Sequence, residues 1–153
     1  MNCSALINDG PAPLRAENTL GEAAEILARA SVQSLPVITA DGDYVGVFGI
    51  SEILARIIPR VAVAGDMRAN VRFIADDLSE LRAKFEAIAP QLVRDWCNMQ
   101  AAFVRPDTPA PEALRLFCRG HDILPVVGTN GKLLGLVSPS AAIRVISARS
   151  DKT

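Results

Sequence analysis

Few side chains in this 153-residue chain have the types and spacing that chemistry requires. The single histidine, His121, stands beside Asp122, but no nucleophile elbow, phosphate-binding loop, dinucleotide fingerprint or metal-spaced histidine pair accompanies it. Cys3, Cys97 and Cys118 are odd in number and have no CxxC spacing, so neither a disulfide framework nor a zinc site is indicated. They read as buried or incidental thiols. The hydroxyls of Ser51 and Ser140 each follow an apolar run and read as helix caps, and Glu52 sits where a first helical turn favours negative charge. No catalysis is expected from this chain alone, and its function should therefore rest on binding.

The elements that position these groups are written twice. Leu35-Pro36-Val37-Ile38, Asp41-Gly42 and Val45-Gly46-Val47-Phe48 return as Leu124-Pro125-Val126-Val127, Asn130-Gly131 and Leu134-Gly135-Leu136-Val137. Each copy is an apolar run, a turn pair and a second apolar run broken once by glycine, the pattern of a β-hairpin feeding a helix. Leu35 and Leu124, Gly42 and Gly131, and Gly46 and Gly135 all stand 89 positions apart. The same offset pairs Thr19 with Thr108, Leu27 with Leu116, Ser51 with Ser140 and Ile57 with Ile146 without a gap. An internal duplication is the economical explanation.

In chain order, the prolines of Pro11-Ala12-Pro13-Leu14 favour extended structure. Asn18 or Thr19 can cap a helix, with Glu22 three residues after Thr19 completing a capping box, and Leu20, Ala23, Ala24, Leu27 and Ala28 share one face. After the hairpin, Ser51 opens a helix with the stripe Ile53, Leu54, Ile57 and Ile58, stopped by Pro59. The unit is strand, helix, strand, strand, helix. The long connection that follows should hold structure of its own: Asp77 with Glu80 forms a capping box ahead of Leu78, Leu81, Phe85 and Ile88, which predicts an amphipathic helix over residues 77–89, and a shorter helix is expected over 91–96. That insert either packs on its own domain or offers a dimer or partner face. Trp96 reads as an anchor of the linker in the core.

The second unit opens with a short strand over 101–104, then a helix with Pro109 just inside its start and Gly120 at its end, the second hairpin, and a last helix over 140–148. The expected division is a first repeat over 1–60, a helical linker over 61–98, a second repeat over 99–149 and a disordered tail over 150–153. Half of the residues are hydrophobic and 22% are charged, which suits an α/β chain with a proper core. A formal net charge of −1 gives no case for nucleic acid, and no apolar run is long enough to span a bilayer. The N-terminus has neither a basic region nor a long apolar stretch, so the expected home is the cytoplasm.

The repeated Leu-Pro-Val hairpins with their paired glycines, each preceded by a Thr-initiated helix, resemble the cystathionine-β-synthase (CBS) domain, and two copies resemble a Bateman module. Val93-Arg94-Asp95-Trp96-Cys97-Asn98 is similar to the lead-in that the family often writes V-R-D-x-M-T, with Cys97 at the Met position. The resemblance implies tandem βαββα repeats packed about a pseudo-two-fold axis. It also implies two clefts between them that take AMP, ADP, ATP or S-adenosylmethionine, pairing into a homodimer, and control of a regulated protein that the sequence does not name. Carried onto this sequence, it points to ligand contacts at Thr19, Leu35, Pro36, Gly49, Ser51 and Glu52 in one copy. In the other copy the matching contacts are Thr108, His121, Ile123, Pro125, Ser138 and Ser140, and His121 could reach a phosphate. Arg56, Arg119 and Arg144 could neutralise phosphates or face water.

Both copies depart from the family's Gly-x-x-Ser/Thr-x-x-Asp ligand motif. The first has Gly49 at the hydroxyl position and Glu52 at the carboxylate position; the second keeps Ser138 but has Ala141 in place of the acid. Losing one such pair of ribose contacts weakens binding by roughly 1–3 kcal/mol. The competing expectation is a ligand-free dimerisation or interaction module with decayed sites.

Overall fold

Residues 1–8, 10–58 and 78–148 are described by the computed structural model. Strand β1 (Leu14–Arg15) leads into helix α1 (Leu20–Ala30), which buries Leu20, Ala23 and Leu27 on the face that the sequence spacing marks. Thr19 Oγ1 accepts from the Glu22 N–H at 3.1 Å, as an N-cap should. The Glu22 carboxylate bonds Asn18 Nδ2 instead of closing the box on Thr19. Strands β2 (Ser34–Ile38) and β3 (Tyr44–Gly49) form the first hairpin, with β1 parallel to β2 at the sheet edge, and α2 (Ile50–Ile57) follows β3 directly. Helix α3 (Leu78–Ile88) packs Phe85 and Ile88 against this first core, so the inter-repeat helix lies on its own domain. Asp77, Pro59 and the C-terminal tail lie outside the described residues.

The second unit repeats the plan with α4 (Ala110–Cys118), the hairpin β4 (Leu124–Val127) and β5 (Leu133–Val137), and α5 (Pro139–Ser147). Gly42 and Gly131 have φ of +87° and +80°, the left-handed turn conformation that side chains resist. The architecture is thus mixed α and β, with two βαββα units.

Several local expectations are corrected. The N-caps of α2 and α5 are Gly49 and Ser138, and Ser51 and Ser140 lie inside the first turns. Extended backbone persists to the end of each hairpin strand, which moves each cap two residues upstream. Glycine has no side chain, so only the backbone half of a capping box forms at α2, with Gly49 N–H donating to Glu52 Oε2 at 2.9 Å. The last helix accordingly starts at Pro139. Pro109 is the N-cap of α4, and Thr108 instead accepts from the Arg105 N–H in the preceding turn. The strand expected over 101–104 narrows to one parallel bridge, Val104 to Val126, in the place β1 holds in the first unit. The helix expected over 91–96 is a short 3-10 turn, Val93–Asp95.

The two units interlock. Tyr44 N–H donates to Gly131 O at 2.9 Å and Leu133 N–H to Gly42 O at 3.1 Å, a reciprocal pair joining the hairpin tips. Asp43 and Lys132 bridge at the same place, with Lys132 Nζ 2.8 Å from the carboxylate. The segments that precede the repeats also cross over. Val93 is buried in the first core, while Cys3 and Leu6 are buried in the second. Asn98 pairs with Val47 through bonds of 2.7 and 3.1 Å, and Asn8 donates to Leu136 in the corresponding position of β5. A pseudo-two-fold relation therefore holds for strands, turns and lead-ins alike.

Candidate functional site

Crossing lead-ins leave a groove where each hairpin strand runs into its helix. The first cleft, about 480 Å³, lies between the start of α2 (Ser51, Glu52), Val47, the lead-in residues 98 and 100–102, and the loop over 120–123. The second, about 430 Å³, lies between Ser138, Pro139, Ser140, Leu136, the lead-in residues Asn8 and Pro11, and the loop over 31–35. Both volumes fall in the range of about 300–1,000 Å³ typical of small-molecule sites. The offset of 89 maps one onto the other: Val47 onto Leu136, Ser51 onto Ser140, and residues 31–34 onto 120–123.

A common wall separates the clefts, because Gln33, Ser34, Asp122 and Ile123 line both. Ser34 is only 8% exposed, and its Oγ donates to Asp122 Oδ2 at 2.9 Å, which ties the β2 entry of one unit to the β4 entry of the other. At α2, Glu52 Oε2 accepts from Gly49 N–H and from Ser51 Oγ at 3.2 Å. At α5, Ser138 Oγ accepts from Ala141 N–H at 3.2 Å, takes a 3.4 Å bond from Asn8 Nδ2, and lies 3.2 Å from Ser140 Oγ.

Of the residues singled out in the sequence, Ser51, Glu52, His121 and Ile123 line the first cleft, and Leu35, Ile123, Ser138 and Ser140 line the second. Thr19 and Thr108 serve a helix cap and a turn, away from both. Pro36 and Pro125 lie within buried strands, and Gly49 sits behind Ser51, where a Cβ would meet Gln33 O at 2.7 Å. Gln33, Ser34, Asn98, Gln100 and Asn8 were not anticipated. The repeat offset contained a signal for two of them, since moving from Asp122 and Ile123 back by 89 lands on Gln33 and Ser34.

The arginines lie elsewhere. The Arg56 guanidinium stacks 4.7 Å over the Trp96 ring, whose Nε1 donates to Gln91 at 2.7 Å, and Arg119 edges a shallow hollow on α4. Among the described residues neither cleft is lined by arginine or lysine, and no group of three or more His, Cys, Asp or Glu is arranged to hold a metal. Burial pushes the Cys97 and Cys3 thiols up, so neither is an activated thiolate. No helix among the described residues is long and apolar enough to cross a membrane.

The family model described as CBS domain matches residues 3–59 and 93–148. No curated protein sequence matches the chain. Among solved structures, a CBS domain-containing protein of unknown function from Bacillus anthracis superimposes with a TM-score of 0.73 at 15% identity, covering 95% of this chain and 92% of that one. CBSX2 of Arabidopsis thaliana, solved in complex with AMP, gives 0.68 at 22% identity and 95% coverage of both chains. CbpB in complex with c-di-AMP gives 0.68 at 15% identity, covering 95% of this chain and 84% of that one. At these identities the likeness establishes a shared fold.

Proposed function

Because this chain belongs to the CBS domain family, we propose that it is a non-catalytic regulatory module that binds an adenosyl small molecule between its two repeats and transmits occupancy to a partner. The observation that carries the reading is the pair of symmetric clefts with one shared wall. A ligand in the first cleft would touch Glu52 from one repeat, the loop over 120–123 from the other, and the crossed lead-in between them. It would thus favour whichever relative arrangement of the repeats closes on it, and a regulated protein reads that preference. Structural neighbours solved with AMP and with c-di-AMP support an adenine ligand.

The repeat units, over 1–60 and 99–149 with a linker over 61–98, act in this reading as one body. Pairing with a second copy is part of the proposal. Leu54 on α2, its offset mate Ile143 on α5, and Ile146 one turn further along α5 are 41%, 61% and 49% exposed, apolar surface that a second copy would cover. The cytoplasm is the proposed location. The test is thermal unfolding with adenosine, AMP, ATP and S-adenosylmethionine, since a ligand selective for the folded state raises its melting temperature in proportion to the logarithm of its concentration. A dose-dependent rise with any of the four supports ligand sensing. No shift at millimolar ligand would leave the module an interaction domain with decayed clefts.

A further inference from the structure

We infer that a third hollow, outside both clefts, binds a free α-amino acid with an apolar side chain as its zwitterion. About 670 Å³ in volume, it opens between α2, the end of α3 and the 3-10 turn over Val93–Asp95, and of its described lining only Glu52 also faces a cleft. The repeat does not require its charges. At the offset of 89, Glu52 and Arg56 of α2 map onto Ala141 and Val145 of α5, and Asp95 maps onto the buried Leu6. The charged hollow therefore belongs to the first unit, where α3 supplies one wall through Ile88.

Arg56 is positioned with its donors free. Gln91 O accepts from Leu20 N–H at 2.8 Å, which fixes it to α1; Gln91 Oε1 accepts from Trp96 Nε1 at 2.7 Å; and the Arg56 guanidinium stacks 4.7 Å from the centre of that indole ring. Stacking uses the face of a guanidinium and leaves its in-plane N–H fork, the geometry that grips a carboxylate by two bonds. Among the described residues the fork has no hydrogen-bond or ion-pair partner, since the ion pairs there join Arg29 to Glu25, Lys84 to Glu80 and Lys132 to Asp43. The Asp95 carboxylate in the same hollow is likewise unpaired there, and Glu52 Oε1 is open while Oε2 is held by Gly49 and Ser51. An anion alone would leave both acids without a donor, and a cation alone would leave the Arg56 fork without an acceptor. A zwitterion satisfies both, with its carboxylate on Arg56 and its ammonium on Asp95 and Glu52. Ala55 and Ile88 line the hollow between these charges and offer apolar contact to a side chain.

Trp96 is the only tryptophan, so its emission reads this hollow. The test is fluorescence titration of the full chain with L-leucine, with L-leucinamide, which lacks the carboxylate, and with N-acetyl-L-leucine, which lacks the ammonium; calorimetry repeats each comparison. L-Leucine should change the emission saturably with a millimolar midpoint, and each analogue should bind at least about tenfold more weakly. Arg56→Met keeps an unbranched chain beside the indole and removes the donors, and Asp95→Asn removes the negative charge. Each should weaken L-leucine binding at least about tenfold, with little change in the urea midpoint because both side chains are exposed. If a variant fails to fold, the two analogues on the native chain decide. No saturable change up to about 50 mM L-leucine would overturn the inference. So would an analogue that binds as tightly as L-leucine, or a folded variant that binds L-leucine undiminished. None of these outcomes depends on whether the clefts take an adenosyl ligand.

Discussion

Replacing Gly46 by alanine should damage this protein far more than the same change at its repeat mate Gly135. A Cβ on Gly46 would lie 2.5 Å from Asn98 O and 2.9 Å from its carbonyl carbon, and backbone cannot rotate out of the way. A Cβ on Gly135 would meet Ile7 Cγ2 at 2.6 Å, a branch methyl that a change of χ1 can move where backbone cannot. Overpacking at a fixed neighbour costs about 1–3 kcal/mol. Forcing the lead-in back also weakens the two Val47–Asn98 bonds, each worth about 0.5–1.5 kcal/mol. Relief of glycine's chain entropy returns about 0.5–1 kcal/mol at either site. Gly46→Ala should therefore lose about 2–4 kcal/mol, a fall in melting temperature of about 5–15 °C for a chain of this size. Gly135→Ala should stay within about 1 kcal/mol of the parent, because an off-rotamer Ile7 costs about as much as the entropy returns. Equilibrium urea unfolding of both variants, fitted with a common slope, measures the difference. The reasoning fails if Gly46→Ala lies within about 0.5 kcal/mol of the parent, or if Gly135→Ala is the worse of the two.

Two further outcomes are expected. Tyr44 is the only tyrosine, its buried hydroxyl has no partner among the described residues, and burial pushes its pKa up to about 12. The unfolded chain releases this proton first, so the contribution is fully present below about pH 10 and is lost as pH rises towards 12, which tyrosinate absorbance reads for this one group. Tyr44→Phe should remove that part of the alkaline loss and be neutral or stabilising at pH 7; a cost above about 1 kcal/mol would reveal a hidden partner for the hydroxyl. Ser138→Ala removes the α5 cap and the contact with Asn8 and should cost about 1 kcal/mol in urea unfolding, whereas Ser140→Ala, two residues inside the helix, should cost under about 0.5 kcal/mol. Equal costs would return the cap to Ser140.

The hairpins were readable in advance because apolar alternation, a turn glycine and a second apolar run are all local, and a repeat at a fixed offset checks each against the other. The amphipathic helices were equally open, down to the buried Leu20, Ala23 and Leu27 of α1. Caps were misplaced where the strand runs into its helix without a loop. Serines two residues apart in Ser138-Pro139-Ser140 compete for one role, and only the backbone angle decides between them. The crossed lead-ins had no local signature. Asn8 meets Leu136, and Asn98 meets Val47, through contacts that depend on how the units dock. The cleft was legible on its helix-start side, at Ser51, Glu52, Ser138 and Ser140, and at His121. Its lead-in side was not, because Asn98 and Gln100 are ordinary polar residues until the fold brings them opposite the loop over 120–123.

The most direct measurement of the central claim is an amide proton–nitrogen NMR titration of the intact chain with adenosine. Saturable shifts clustered at Ser34, Asn98, Gln100 and Asp122 are predicted, the places where the two repeats and the crossed lead-in face one cavity. A spectrum unmoved at millimolar adenosine, or changes gathered on α3 and the outer faces of the helices, would contradict it.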